Sequence, residues 1–225
     1  MSLVRIGAYI VTVVAAYLLG SIPTGFLVAK AKGIDIRTVG SGNIGATNVF
    51  RALGVPAGVA VLLVDALKGW VAVVLVSRAV YHWILPGSDV QEREWLAICA
   101  GLSAILGHNY TCWLHFKGGK GIATSAGVLL ALVPWSLLII FSIWLIVFAL
   151  TRYVSMASIA AAASLPLAAW LTKESPIMVL ITGAMGALAI YKHKGNIQRL
   201  MKGTESRIGS KKTTVAPAEA PKQTS

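Results

Sequence analysis

The sequence predicts an all-α, polytopic membrane protein, and three observations support this fold class. Of the 225 residues, 56% are hydrophobic and only 12% are charged, whereas soluble domains carry about 25% charged residues. The mean hydropathy is +0.75. Seven long apolar blocks with few interior charges follow one another, as expected for helices that cross a bilayer. This pattern excludes a soluble globular enzyme and a wholly disordered chain.

The apolar blocks predict seven transmembrane helices, some of them short. The predicted spans are Leu3–Ala29, Val55–Val80, Trp95–Tyr110, two within Ile122–Leu150, Met156–Leu171 and Ile177–Tyr191. As a single helix Ile122–Leu150 would be about 45 Å long, and Pro134 near its middle favours a break. We therefore expect two helices that meet near Val133–Pro134. The short, glycine-containing Trp95–Tyr110 is typical of a helix packed inside protein.

The distribution of charge predicts the orientation of these helices. With seven spans and a periplasmic N-terminus, the cytoplasmic segments hold 15 of the 20 Lys and Arg residues. The outer segments hold only Arg5, Arg78, Arg93 and Lys173. Six spans would place the basic C-terminal tail outside, against the positive-inside rule. We therefore predict a cytoplasmic C-terminus.

The sequence predicts one membrane-embedded domain, residues 1–208, and a disordered basic tail, residues 209–225. The tail is rich in Lys, Thr, Ala and Pro and has no apolar periodicity. The first apolar run is too long for a cleavable signal peptide, so we expect it to remain as a span. Cys99 and Cys112 indicate neither a disulfide framework nor a zinc site. We predict no metal and no cofactor.

Three polar, glycine-rich segments fall at the cytoplasmic ends of the predicted helices. They are Val39–Arg51, Gly107–Thr124 and Lys192–Ile208. The outer loops are ordinary by comparison, with four bases and four acids. The unusual residues therefore lie on one face, and we expect the functional site there.

The first segment contains a G-x-G-x-x-G pattern at Gly40, Gly42 and Gly45. An apolar helix precedes it, not the strand of a dinucleotide-binding unit, so a Rossmann site is not expected. Glycines still allow backbone N–H groups to approach an anion closely. Polar neighbours add further donors, and these are Ser41, Asn43, Thr47, Asn48 and Arg51.

The second segment surrounds lysines with glycines, from Lys117 through Gly118, Gly119 and Lys120 to Gly121. It lacks the spacing of a P-loop, but a lysine flanked by glycines is typical of a phosphate ligand.

The third segment spaces His193, Asn196 and Arg199 three residues apart, which places them on one helical face. Glu205 follows, either as part of the site or as a salt-bridge partner of Arg207 or another loop cation. Within the second span, Asp65 and Lys68 lie one helical turn apart, and we interpret them as a structural ion pair near the site.

Together these segments predict a site for phosphorylated substrates, at least one of which is also apolar because the site lies at the lipid boundary. Nucleic acid is not an expected partner of a chain with this hydropathy. A transporter of an organophosphate anion remains an alternative, and so does a scaffold whose basic loops only set topology.

Three ordered motifs resemble those of the PlsY-type bacterial acyl-phosphate:glycerol-3-phosphate acyltransferases. They are GSGNIGATNVFR (Gly40–Arg51), GHNYTCWLHFKGGKGIATS (Gly107–Ser125) and HKGNIQRLMKGTE (His193–Glu205). LLGSIPTGFLVAK in the first span and DALKG in the second are also similar, so the resemblance covers about residues 5–208.

The resemblance implies an enzyme of the bacterial inner membrane whose active site faces the cytoplasm. It would transfer a fatty acyl group from acyl phosphate to the 1-hydroxyl of sn-glycerol 3-phosphate, giving lysophosphatidic acid and phosphate. Glycerol 3-phosphate contacts are implied for Ser41, Arg51, Lys120, Ser158, His193 and Asn196, and all of these except Ser158 are expected to be catalytic. The remaining predicted substrate-binding residues are Gly40, Gly42, Asn43, Gly45, Thr47, Asn48, Lys117, Gly118, Gly119, Gly121 and Glu205.

The donor chemistry suggests how such a reaction would proceed. Acyl phosphate is an activated mixed anhydride, so no covalent acyl-enzyme is required, and the acyl chain would lie among the spans. A substrate phosphate could accept the hydroxyl proton, with His193 as the alternative base. Expected partners are the two substrates and membrane lipid, and a contact with the enzyme that makes acyl phosphate is a further prediction that no motif in the sequence supports.

Overall fold

The computed structural model of the protein describes residues 2–209, and within this range the chain is all-helical, with no strand. The α-helices are α1 (Leu3–Ser21), α2 (Thr24–Lys30), α3 (Ala46–Leu53), α4 (Val55–Val71), α5 (Ser77–Ile84), α6 (Val90–Asn109), α7 (Ile122–Leu132), α8 (Pro134–Thr151), α9 (Val154–Leu171), α10 (Pro176–Lys192) and α11 (Lys194–Met201). A π-helical turn at Ala72–Val76 joins α4 to α5. The predicted C-terminal tail, apart from Gly209, lies outside the described residues.

Several of these helices are long and apolar enough to cross a membrane. Four segments qualify, Leu3–Lys30, Val55–Ile84, Pro134–Thr151 and Val154–Leu171, and α10 with α11 forms a fifth that is bent by 57°. The chain is therefore a multi-pass membrane protein. The seven-span count stays a prediction, because α7 has only 11 residues and the first turns of α6 contain the charged run Glu92–Glu94.

The predicted break within Ile122–Leu150 is confirmed. Helix α7 ends at Leu132, Val133 adopts φ −142° and ψ 66°, and α8 starts at Pro134. Proline lacks a backbone N–H and is tolerated at the first position of a helix, where that donor would have no partner. The break limits α7 to 11 residues, and α7 begins directly after Gly121 of the second polar segment.

Two of the differences between predicted and observed helix boundaries have a clear physical reason. The first span is divided between α1 and α2 at Ile22–Pro23, where Pro23 cannot continue the hydrogen-bond ladder. Helix α6 begins five residues before the predicted Trp95, because Asp89 caps it by accepting a hydrogen bond from the Glu92 N–H at 2.8 Å. An acidic N-cap of this kind stabilises a helix even when its first turn is charged.

Small residues allow the helices to approach closely. A Cβ atom on Gly127 of α7 would lie 1.8 Å from the carbonyl oxygen of Ala66 on α4, and one on Gly69 of α4 would lie 2.2 Å from that of Thr124. Such contacts drive helix association in membranes, where burial of apolar surface contributes little. Helix α7 is thereby fixed against α4, which also fixes the loop that precedes α7.

We predict that Gly127→Ala destabilises the protein, because the added methyl overlaps the α4 backbone. Overpacking of this kind costs about 1–3 kcal/mol, so the thermal midpoint in detergent should fall by several degrees. Gly7→Ala is the matched control, since a Cβ at Gly7 meets nothing within 4 Å. Equal midpoints for the two variants would contradict the close α4–α7 packing.

Candidate active site

The three polar segments meet around one cavity of about 620 Å³. This agrees with their predicted placement at the same ends of the helices. One end of the cavity is polar, and its lining includes Ser41, Asn43, Thr47, Asn48, Arg51, Lys120, Ser155, Ser158, His193, Asn196 and Glu205. The other end runs between α7, α8, α9 and α10 and is apolar, with Leu129, Leu137, Ile140, Phe141, Trp144, Phe148, Leu165 and Met185. The cavity can therefore hold a molecule with a polar head and an apolar tail.

Asn48 shapes the first segment. Its buried side chain accepts a hydrogen bond from the Ser41 N–H at 3.0 Å and donates to the carbonyl oxygens of Ile36 and Val39. Gly40 adopts φ +60°, and a Cβ there would lie 2.5 Å from Asn48 Oδ1, so glycine is required. Gly40 forms the turn but does not line the cavity, and the same holds for Gly42.

The N-termini of α3 and α7 are among those that face the cavity. Gly45 precedes α3 and Gly121 precedes α7, and neither helix has a side-chain cap at this end. Gly45 and Thr47 of the first terminus and Gly121 and Ile122 of the second line the cavity. Uncapped N–H groups and the positive end of a helix dipole attract anions. Two of them at one cavity make it suited to phosphate groups.

The lysine- and glycine-rich loop lies against the end of α6. The Gly118 N–H donates to the Asn109 carbonyl oxygen at 3.3 Å and the Gly119 N–H to that of His108 at 2.9 Å. These glycines pack on α6 and do not line the cavity, and Lys117 is exposed and also outside it. Of the predicted residues in this loop, only Lys120 and Gly121 face the cavity.

The Glu205 carboxylate joins the polar side chains to one another. It accepts hydrogen bonds from Ser155 Oγ at 2.9 Å, Asn196 Nδ2 at 2.7 Å and Arg199 Nε at 2.7 Å. Asn196 Oδ1 in turn accepts a hydrogen bond from Lys120 Nζ. Four parts of the chain are thereby connected: α9, α11, the segment after α11 and the loop before α7. Glu205 combines the two roles that the sequence leaves open, since its carboxylate lines the cavity and also forms an ion pair, with Arg199 of α11 as the partner.

Burial and charge alter the acid–base properties of the cavity. Burial, with the nearby Arg199 and Arg51 cations, lowers the pKa of Lys120 to about 8, although Glu205 opposes the shift. Burial would raise the pKa of Glu205, but its hydrogen bonds from Asn196, Arg199 and Ser155 outweigh this and hold the pKa below its usual value. Glu205 is thus a fixed anion among cations, and an anionic ligand would relieve the remaining positive charge.

His193 and Ser158 complete the polar lining. His193 is only 3% exposed, and its Nδ1 lies 2.8 Å from the Ala189 carbonyl oxygen. That nitrogen therefore carries the proton, which leaves Nε2 of the neutral ring as an acceptor. Ser158 accepts a hydrogen bond from Trp144 Nε1 at 3.2 Å, at the boundary between the polar and apolar parts of the cavity.

Some site residues were not predicted as such. Ser155 lies one helical turn before Ser158 on α9, and this spacing is the signal that could have identified it. Trp144 gives no sequence signal, because aromatic residues are common throughout apolar helices.

The predicted ion pair of Asp65 with Lys68 is confirmed, with Nζ 2.8 Å from Oδ1. Within residues 2–209, no group of His, Cys, Asp and Glu residues could hold a metal ion.

The chain is similar to known acyltransferases over most of its length. Residues 10–203 match the family model described as glycerol-3-phosphate acyltransferase. A protein of that name from Geotalea daltonii is 48% identical over 88% of this chain and 96% of its own length. The corresponding protein of Geobacter sulfurreducens is 46% identical over 86% and 94%.

Solved structures show the same similarity. A crystal structure of PlsY, described as an integral membrane glycerol 3-phosphate acyltransferase in its glycerol 3-phosphate form, superimposes with a TM-score of 0.80 at 42% identity. It matches 90% of this chain and 96% of that one. The lysophosphatidic acid form of PlsY gives a TM-score of 0.78 at 41% identity over the same shares.

We predict that Glu205→Ala destabilises the protein by about 2 kcal/mol, because the buried partners Ser155 and Asn196 lose their acceptor. The midpoint of thermal unfolding in detergent measures this loss. Glu94→Ala, which removes an exposed acid on α6 far along the chain from the site, is the control and should leave the midpoint unchanged. Equal stability of the two variants would show that Glu205 does not organise the site.

Proposed function

This chain belongs to the glycerol-3-phosphate acyltransferase family, and we propose that it transfers a fatty acyl group from acyl phosphate to the 1-hydroxyl of sn-glycerol 3-phosphate. The products are lysophosphatidic acid and inorganic phosphate, in the first step of phospholipid synthesis. One observation carries the proposal: Arg51 and Lys120 lie with two uncapped helix N-termini at the polar end of a cavity whose other end is apolar.

The polar end provides the ligands that glycerol 3-phosphate needs. Arg51 and Lys120 supply positive charge for the phosphate, and Arg51 can form a bidentate contact. We assign further contacts to Ser41, Ser158, His193 and Asn196, all of which line the cavity. Gly45, Thr47 and Gly121 contribute from the helix N-termini, while Gly40, Gly42, Gly118 and Gly119 act by shaping the loops.

The apolar end is suited to the acyl chain of the donor. Its walls come from α8, α9 and α10, with Phe148 near the polar end and Leu137 and Leu165 far from it. Each methylene removed from water contributes about 0.8 kcal/mol. A long chain therefore holds the acyl phosphate with its head group beside Lys120.

The reaction requires two anionic substrates to come together. Arg51 and Lys120 offset their repulsion, and the shared cavity holds the hydroxyl close to the acyl carbonyl. The glycerol 1-oxygen attacks the carbonyl carbon, the bond from that carbon to the phosphate oxygen breaks, and phosphate leaves. A substrate phosphate accepts the hydroxyl proton. His193 Nε2 is the alternative acceptor, since Nδ1 is occupied.

We also propose that the chain crosses the bacterial inner membrane seven times, with a periplasmic N-terminus and its site facing the cytoplasm. The 15 Lys and Arg residues of the segments then placed inside support this orientation. The meeting of all three polar segments at one cavity supports it too. Contact with the enzyme that makes acyl phosphate stays a prediction.

We predict that the purified protein converts palmitoyl phosphate and glycerol 3-phosphate to lysophosphatidate and phosphate in equal amounts. Arg51→Ala should reduce the rate at least 100-fold while the protein inserts and folds normally, because the phosphate loses its bidentate ligand. Arg78→Ala, which removes a cation from the opposite end of the second span, is the control. Flux of glycerol 3-phosphate into sealed vesicles without acyl product would instead indicate a transporter and contradict the proposal.

We predict that kcat/KM for glycerol 3-phosphate falls above pH 8. Lys120 is charged below its pKa of about 8 and loses its charge as the pH rises through that value, and kcat/KM reports groups of the free enzyme. Lys120→Arg should shift the alkaline limb upward by at least two pH units, since a guanidinium stays charged. The control Lys32→Arg, on an exposed loop, should keep the limb near pH 8. An unshifted limb in Lys120→Arg would exclude Lys120 as its source.

A further inference from the structure

A buried charged cluster lies next to the loop that carries Lys120, and two of its members, Asp65 and His108, also border the cavity. Asp65 and Lys68 on α4 are 2% and 4% exposed, and His108 near the end of α6 is 5% exposed. Thr24 Oγ1 donates to Asp65 Oδ1 at 3.0 Å and closes the cluster on the side of α2. Buried charges lower stability unless they are fully paired, and an apolar pair of similar size often serves as well. An ion pair kept inside an apolar helix therefore suggests a role besides stability.

The cluster fixes the His108 ring. The Lys68 ammonium has three protons and no acceptor. It contacts three acceptors, Asp65 Oδ1 at 2.8 Å, the Ile22 carbonyl oxygen at 3.0 Å and His108 Nδ1 at 3.0 Å. Because the ammonium can only donate, we assign His108 Nδ1 as its acceptor and the proton of the neutral ring to Nε2, and the same Nδ1 lies 3.6 Å from Asp65 Oδ1. Both the orientation and the tautomer of His108 thus follow from Lys68.

The fixed ring supports the loop directly. A Cβ atom on Gly119 would lie 2.1 Å from His108 Nε2, so the glycine backbone rests against the edge of the ring. The Gly119 N–H also donates to the His108 carbonyl oxygen at 2.9 Å. The next residue is Lys120, whose Nζ reaches Asn196 in the cavity. Contacts therefore run without a gap from Asp65 through Lys68 and His108 to the segment that directs Lys120.

We infer that Asp65, Lys68 and His108 are positioning residues that hold the backbone at Gly119 so that Lys120 points at the substrate phosphate. The inference rests on the proposed role of Lys120 in binding glycerol 3-phosphate. It explains why the ion pair lies at the level of this loop and why a histidine shares the lysine. It also explains why residue 119 has no side chain.

The first test replaces the ion pair by apolar residues of similar size. Asp65→Leu combined with Lys68→Met removes both charges together, so neither is left buried alone, and the thermal midpoint should stay within a few degrees of wild type. The His108 ring loses its donor, and we expect kcat/KM for glycerol 3-phosphate to fall at least tenfold, mainly through KM. Thr12→Val is the control, because this buried hydroxyl donates only to Ala8 of its own helix. Wild-type kinetics in a stable double variant would overturn the inference.

A second test does not alter the ion pair. It tests the positioning role even if the Asp65→Leu, Lys68→Met variant does not fold. Gly119→Ala should lower kcat/KM at least tenfold, because the methyl displaces the loop from the ring. His108→Asn keeps an acceptor near the Nδ1 position and removes the Nε2 edge. Adding it to Gly119→Ala should restore part of the lost activity, since the two sites are coupled. A purely additive loss would overturn the inference.

These outcomes are separate from a failure of the proposed function. If the wild-type protein forms no lysophosphatidate, the proposed function is wrong. If the wild type is active, the stable Asp65→Leu, Lys68→Met variant keeps wild-type kinetics and the Gly119→Ala and His108→Asn losses simply add, only the positioning role is wrong.

Discussion

The hydrogen bonds of one carboxylate, that of Glu205, organise the polar end of the molecule. Cations must be brought together to bind phosphate, yet they repel one another and lose hydration on burial. Glu205 offsets this cost by accepting from Ser155, Asn196 and Arg199, and Asn196 passes the constraint on to Lys120. The rest of the fold brings the segments that carry these side chains close enough to the Glu205 carboxylate to form the hydrogen bonds.

Small residues and breaks between helices allow the polar segments to come close to Glu205. Pro134 divides one apolar stretch into α7 and α8, and Gly127 allows α7 to lie on α4. Gly40 turns the first segment so that Asn48 can hold it. Pro134 lacks a backbone donor, and Gly127 and Gly40 lack a side chain. In each case the missing group lets the fold place a backbone N–H or a charged side chain where an anion can reach it.

The sequence predicts the parts of the molecule that depend on local pattern. Apolar runs indicate the helices, Pro134 indicates a break, and spacing pairs Asp65 with Lys68, all of which the structure shows. Contacts between distant segments leave no such signal. The choice of Arg199 as the partner of Glu205 depends on how the chain after α11 folds back. The exposure of Lys117 beside the buried Gly119 likewise depends on how the loop lies against α6.

The central claim is that Glu205 positions the cations that bind glycerol 3-phosphate, and the affinity of a Glu205→Gln variant tests it most directly. The measurement is a calorimetric titration of the purified protein with glycerol 3-phosphate at pH 7. By charge alone, removing an anion near an anionic ligand should tighten binding. Because Arg199 loses its ion pair and Asn196, which holds Lys120, loses its charged acceptor, we predict binding at least tenfold weaker than in wild type. Unchanged or tighter binding in the folded variant would contradict the account.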